Sequence, residues 1–195
     1  GIPVYEKGGF EADDIIGTIV EKNKKVEDLE IIIASGDLDT LQLVDDDRVV
    51  VYTLRQGITD TVLYDEKKVV ARFGFNPEFL PDYKGLRGDP SDNIPGVTGV
   101  GEKTAIQLLN EFGTLDKLYT SIKENTDKAK KLKPKLREKL VQYKEQALFS
   151  RELATIRLDT PIDFSVKDLE WRDFDRGVVE RTFNTLGFRS LVARL

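Results

Sequence analysis

Gly88-Asp89-Pro90-Ser91-Asp92-Asn93-Ile94-Pro95-Gly96-Val97-Thr98-Gly99-Val100-Gly101-Glu102-Lys103-Thr104-Ala105 sets two chemistries side by side. Asp89 and Asp92 sit among Gly, Pro, Ser and Asn, residues that favour turns over helix or strand, so their carboxylates are aimed by a loop. The glycines that follow lead into an amphipathic helix expected over residues 104–112, with Ala105, Leu108, Leu109 and Phe112 on one face. Glycines ahead of a helix start expose backbone N–H groups that suit an anion, and Lys103 adds a positive charge beside them. The stretch reads as a cation-binding loop next to a grip on a phosphate backbone.

Moving toward the N-terminus, residues 77–86 and 65–73 are expected as helices, and residues 59–64 and 48–52 as strands joined by a turn at Gln56-Gly57. Asp45-Asp46-Asp47 falls between elements and reads as a solvated turn. Residues 29–34 contain three isoleucines in a continuous apolar run, the character of a strand covered on both faces in a parallel sheet. That strand ends in Ser35-Gly36-Asp37-Leu38-Asp39-Thr40, and in open α/β folds ligands gather at the carboxyl ends of strands. Capping of a short helix accounts for one of the two Asp residues but poorly for both. Glu11-Ala12-Asp13-Asp14 begins a helix running to about Lys24, with Ala12, Ile15, Ile16, Ile19 and Val20 as its buried stripe. Acids complement a helix dipole in the first turn, yet three in four positions exceed that need.

Toward the C-terminus, helices are expected over residues 115–122, 134–151 and 175–188, the second starting on Pro134. Trp171 and Phe174 are expected to fill core or a boundary.

The chain contains no Cys and no His, which removes thiol nucleophiles, Ser-His-Asp triads, disulfides and ordinary zinc sites together. Catalysis would have to rest on carboxylates, Lys, Arg, Tyr or hydroxyls. The net charge of −5 is unevenly laid out: residues 1–92 hold 11 basic and 20 acidic side chains, residues 93–150 hold 11 and 7. A basic segment beside an acidic one suits a polyanion held near cation-binding carboxylates. No apolar run approaches a membrane span, so a soluble, cytoplasmic protein is expected. The chain begins at Gly1 and lacks Met, so it reads as an excised piece of a longer protein.

Three motif readings compete for the same residues. Gly96-x-x-x-x-Gly101 followed by Lys103-Thr104 nearly spells a P-loop, but Glu102 intervenes and puts a carboxylate where phosphates would sit. Asp37-Leu38-Asp39-Thr40 approaches the loop of phosphatases with an aspartyl nucleophile, although their Thr stands one position later and the other acids would be left over. A helix-hairpin-helix, which holds phosphates without reading bases, fits residues 96–105 as they stand.

Taken in order, Glu11-Ala12-Asp13-Asp14, Ser35-Gly36-Asp37-Leu38-Asp39, Gly88-Asp89-x-Ser91-Asp92-Asn93-Ile94-Pro95-Gly96-Val97 and Gly99-Val100-Gly101-Glu102-Lys103-Thr104-Ala105 resemble the 5′ nuclease family, and within it the 5′-3′ exonuclease domain that begins bacterial DNA polymerase I. The resemblance implies a divalent-metal phosphodiesterase acting on DNA 5′ ends and flaps in replication and repair. It implies an α/β core with a partial parallel sheet and helices on both faces over residues 1–87, a helix-hairpin-helix subdomain over 88–150, and a C-terminal segment over 151–195 packing back on the core. Its metal ligands would be Glu11, Asp13, Asp14, Asp37, Asp39, Asp89 and Asp92, with Glu11, Asp13, Asp37, Asp39 and Asp92 catalytic. Gly96, Val97, Gly99, Val100, Gly101, Lys103 and Thr104 would hold DNA. Two Mg²⁺ or Mn²⁺ ions, a K⁺ ion at the hairpin, a polymerase domain further along the parent chain, a monomeric state and a nucleoid setting complete what it implies. Family members also carry upstream a first strand, a further ligand Asp and a helical arch, which these residues do not include, so reduced activity is expected. The other class open to the same residues is a non-catalytic DNA-binding module with an incomplete active site.

Overall fold

The computed structural model describes residues 3–46, 48–56, 60–170 and 173–195. Asp47, Gly57, Thr59 and Trp171, which figured in the expected acidic turn, hairpin turn, third strand and aromatic boundary, lie outside them. The chain divides into two compact units, residues 7–160 and residues 1–6 with 161–195.

In the larger unit, α1 (Ala12–Asn23) starts with a reciprocal cap between Glu11 and Asp14 and buries Ile15 and Val20. β1 (Ile31–Ala34) pairs in parallel with β2 (Val49–Gln56), which pairs antiparallel with β3 (Asp60–Tyr64), in the order β1-β2-β3. The α/β core is thus built on a mixed sheet. Its register puts Ile33, Val51 and Tyr64 on one face, and these belong to the same buried cluster as Val20, Leu41, Val69 and Tyr83. The expectation that β1 is covered on both faces does not hold among the described residues. Ile33 is buried, but Ile32 is 57% exposed, and Tyr52, Leu54 and Leu63 on its side of the pleat are exposed too, although its direct partner Val50 is buried. An unbroken apolar run hides this difference, because both faces read alike.

A 3₁₀ segment (Leu38–Leu43) follows β1, and α2 (Glu66–Phe73) is capped by Asp65, whose carboxylate accepts the Lys68 N–H at 2.8 Å. A 3₁₀ turn (Pro77–Phe79) leads into α3 (Leu80–Arg87), the most enclosed helix, with Leu80 and residues 82–86 all buried. Enclosure of Asp82 and Lys84 demands partners, since an unpaired buried charge is costly. Asp82 meets Arg151 at 3.3 Å; the partners of Lys84 form the site described below. Gly85 lets the backbone at Ala147 close in: a Cβ there would stand 3.0 Å from the Ala147 carbonyl oxygen.

After the hairpin come α4 (Glu102–Phe112), α5 (Leu115–Glu124), α6 (Asp127–Lys130), α7 (Pro134–Gln142) and α8 (Lys144–Ala154). The long helix expected over 134–151 is two helices, interrupted at Tyr143 (φ −101°, ψ 19°). No Gly or Pro marks the break; Leu140 and Ala147 are both fully buried, one on each side of it.

The smaller unit holds a 3₁₀ turn (Val166–Leu169), α9 (Arg176–Thr185) and α10 (Arg189–Val192). Tyr5 and Phe164 meet edge to face, as do Phe183 and Phe188. Phe174 keeps 52% of its surface exposed. Among the described residues no helix is long and apolar enough to cross a membrane.

Candidate metal centre and phosphate-binding hairpin

Three chain segments deliver the carboxylates. At the end of β1, Asp37 caps the 3₁₀ segment by accepting the Asp39 N–H at 2.9 Å, while the Asp37 N–H donates to Ser35 Oγ at 3.0 Å. This tight turn fixes Asp39. After α3, Gly88 takes a positive φ of 77° and Asp89 and Ile94 exchange backbone hydrogen bonds at 2.8 Å, closing a small loop that carries Asp92. Asp89 Oδ1 accepts the Ser91 N–H at 3.0 Å, which sets its rotamer. The third segment is the first turn of α1.

The carboxylates converge. Asp39, Asp89 and Asp92 each offer an oxygen, and the three atoms lie within 4.8 Å of one another. Asp13 is pushed up to about 6, first by burial and then by the charges of Asp37, Asp39, Glu11 and Asp14. Asp39 is raised by burial, to which the charges of Asp37 and Asp89 add. Asp39 therefore links the α1 acids to the loop acids. Glu11, Asp13, Asp14 and Asp39 line an open cleft of about 1260 Å³ whose other wall includes Phe149 and Arg151 of α8.

Lys84 enters the centre from α3, outside every motif singled out above. Its ammonium touches Asp39 Oδ1, lies 2.6 Å from Asp89 Oδ2 and 3.7 Å from Asp92 Oδ2. Burial works to lower the Lys84 pKa, but hydrogen bonds to Asp39 and Asp89 outweigh it and hold the group above its ordinary value. For Asp89, burial is likewise outweighed by Lys84 and Ser91, and its carboxyl sits below the usual range. The one available signal is a Lys flanked by Tyr83 and Gly85, five residues before Asp89.

Asp14 stands apart from the other acids in its bonding. Its Oδ2 accepts the Glu11 N–H at 3.1 Å and its Oδ1 accepts the Arg157 N–H at 2.9 Å. Both oxygens therefore hold backbone.

The hairpin is built by close approach. A Cβ at Gly96 (φ 58°) would fall 2.6 Å from the Arg87 carbonyl carbon and nearer still to the Gly88 nitrogen. Gly96 N–H donates to the buried Ser150 Oγ at 3.1 Å, and its carbonyl accepts from Gln146 Nε2 at 2.5 Å. Val97 N–H donates to the Leu86 carbonyl and Val100 N–H to the Val97 carbonyl, and both Val side chains are buried. Of the residues expected to hold DNA, Gly96, Val97 and Val100 therefore have their N–H groups engaged within the protein. Gly99, Gly101 and Lys103 are exposed, Thr104 is half-buried, and α4 starts on Gly101 with no side-chain cap. Gly99 and Thr104 also border a groove with Lys131, Lys133, Lys135 and Lys139.

An α/β core with an acidic centre is thus joined through one buried helix to a helix-hairpin-helix. The chain belongs to the 5′-3′ exonuclease family, a family of nucleases: the family's C-terminal SAM fold matches residues 75–177 and its N-terminal resolvase-like domain matches residues 1–74. It is 49% identical over 191 residues to DNA polymerase I of Bacillus subtilis (strain 168), and 44% identical over 194 residues to that of Bacillus caldotenax. These alignments cover 98% and 100% of this chain but 21% of each relative. The fold is similar to that of T5 5′-exonuclease, solved with zinc bound, at a TM-score of 0.65 and 25% identity over 78% of this chain and 52% of that one. The catalytic core of Rad2, solved with DNA, shares the fold at a TM-score of 0.56 and 17% identity over 90% of this chain and 57% of that one.

Proposed function

We propose that this chain is a divalent-metal-dependent 5′-3′ exonuclease and flap endonuclease module, hydrolysing DNA phosphodiester bonds in replication and repair. The observation that carries the reading is the convergence of Asp39, Asp89 and Asp92 oxygens within 4.8 Å, next to a helix-hairpin-helix. The donor set fits hard cations such as Mg²⁺ or Mn²⁺, which prefer oxygen ligands, and a positively charged ammonium already stands among the three carboxylates. Asp39, Asp89 and Asp92 would hold one ion, and Asp13, with Glu11 and Asp37 beside it, a second. When bound, such ions stabilise the attacking and leaving oxygens of an in-line displacement.

The residues themselves do the rest. Asp14 fixes the start of α1 and the segment at Arg157, and so aims Asp13. Gly99, Gly101, Lys103 and Thr104, with the lysine-lined groove, would grip the duplex backbone; K⁺ at the hairpin would add to that grip. The substrate is DNA with a 5′ end or flap, the cell setting the bacterial cytoplasm, and the chain works as a monomer. Polymerase activity belongs to the longer relatives, of which this chain spans about a fifth (21%).

A second reading is favoured by Lys84, which offsets part of the Asp cluster's charge without any metal: a structure-specific DNA-binding module that does not cleave. A flap-cleavage assay with Mn²⁺ separates the two. Metal-dependent release that disappears in Asp39→Ala establishes the nuclease; tight flap binding with no release establishes the module.

A further inference from the structure

We propose that Lys84 is the resident counter-ion of the carboxylate centre, so that its ammonium and a divalent cation compete for the same oxygens of Asp39, Asp89 and Asp92. The inference rests on reading that cluster as a metal centre.

The geometry leaves room for one cation at a time. Lys84 is 92% buried, its residue exposure being 8%, and its stem comes up from the enclosed helix α3. Its Nζ lies against Asp39 and 2.6 Å from Asp89, with Asp92 at 3.7 Å. A small divalent ion bonds oxygen at about 2.1 Å and would take the position between those oxygens that Nζ now fills. Like charges at such a separation repel strongly even in a protein's effective dielectric, so ion uptake expels the ammonium. Lysine suits the exchange, because a flexible stem carries a compact charge that can swing clear, whereas the planar fork of Arg could not.

The arrangement also answers how the acids come together before any metal arrives. Three carboxylates on two separate loops repel one another, and the ammonium gathers them. Removing it therefore acts in opposite directions on the two states: the metal-free protein loses stability, while the metal meets less competition.

The test is Mn²⁺ binding by calorimetry, with thermal melting, on the 195-residue chain and on Lys84→Met, which keeps the stem and removes the charge. Expected are a lower melting temperature without metal and a dissociation constant for Mn²⁺ smaller by about tenfold. Equal or weaker Mn²⁺ binding by Lys84→Met overturns the counter-ion role, even if the wild type binds Mn²⁺ well. If neither protein takes up Mn²⁺, the metal-centre reading itself falls. Should Lys84→Met not fold, ¹⁵N-lysine NMR of the wild type decides. A protected Lys84 ammonium signal that vanishes on saturation with Mg²⁺ supports the exchange, and one that persists unchanged overturns it.

Discussion

The hairpin and the carboxylate centre both hang on the C-terminal end of α3, yet they are held by opposite means. The hairpin is fixed by contact: Gly96 has no space for a side chain, and Ser150 and Gln146 clasp its N–H and its carbonyl. The carboxylate centre is fixed by balance: mutually repelling acids surround one ammonium. The first should therefore respond to changes of size and barely to ions or pH. The second should respond to charge, metal and pH while tolerating changes of shape.

The hardest blow to this contrast comes at Gly96. Gly96→Ala combines a positive φ with a backbone collision, and is expected to cost about 3–5 kcal/mol in urea unfolding. A variant as stable as the wild type would mean the two arms are not locked by close approach. Next in size, Mg²⁺ at a hundredfold excess over its dissociation constant should add about 2.7 kcal/mol. Thermal melting reads the gain, which should vanish in Asp39→Ala and survive in Ser150→Ala. No gain in the wild type would leave the centre without a cation to bind.

Ser150→Ala leaves the Gly96 N–H without its buried acceptor and should cost about 1–3 kcal/mol. Duplex binding should weaken while Mg²⁺ binding stays constant; a parallel loss of both would show that the two regions are coupled rather than separately held. The smallest effect concerns Asp13. Its carboxyl is protonated in both states below the ordinary value of 3.8, and between there and about 6 the unfolded chain gives up a proton that the folded one keeps. Stability of the metal-free protein thus falls as pH rises through that window and stays low above it. Asp13→Asn should raise stability at pH 7 by about 1 kcal/mol, allowing for solvent screening of a half-exposed group, and change little near pH 4. An equal gain at both pH values would assign the effect to packing instead.

The same contrast explains what could be read from the sequence. The hairpin was legible because Gly, Pro and Asn announce their backbone geometry locally, and the strand-end Asp37 and Asp39 because an apolar run of isoleucines pointed to them. The roles of Lys84, Ser150 and Asp14 were not, because each depends on a partner remote in the chain: 45 residues separate Lys84 from Asp39, 54 separate Ser150 from Gly96, and 143 separate Asp14 from Arg157. The helix break at Tyr143 escaped for a similar reason, being set by what packs around it rather than by a Gly or Pro. The burial of Val97 and Val100 within the hairpin follows from their apolar side chains, which suit the interior they occupy.

One consequence of the mixed sheet concerns how the protein behaves in a tube. Ile32, Tyr52, Leu54 and Leu63 share one side of the pleat and leave between 41% and 57% of their surfaces to solvent, while β1 at the margin has a single hydrogen-bonded neighbour among the described residues. Such a panel is poorly wetted, and an unpaired strand margin is a template for adding another. At concentrations far above those at which the monomer works, association by sheet extension is expected, and Ile32→Lys should suppress it in light scattering.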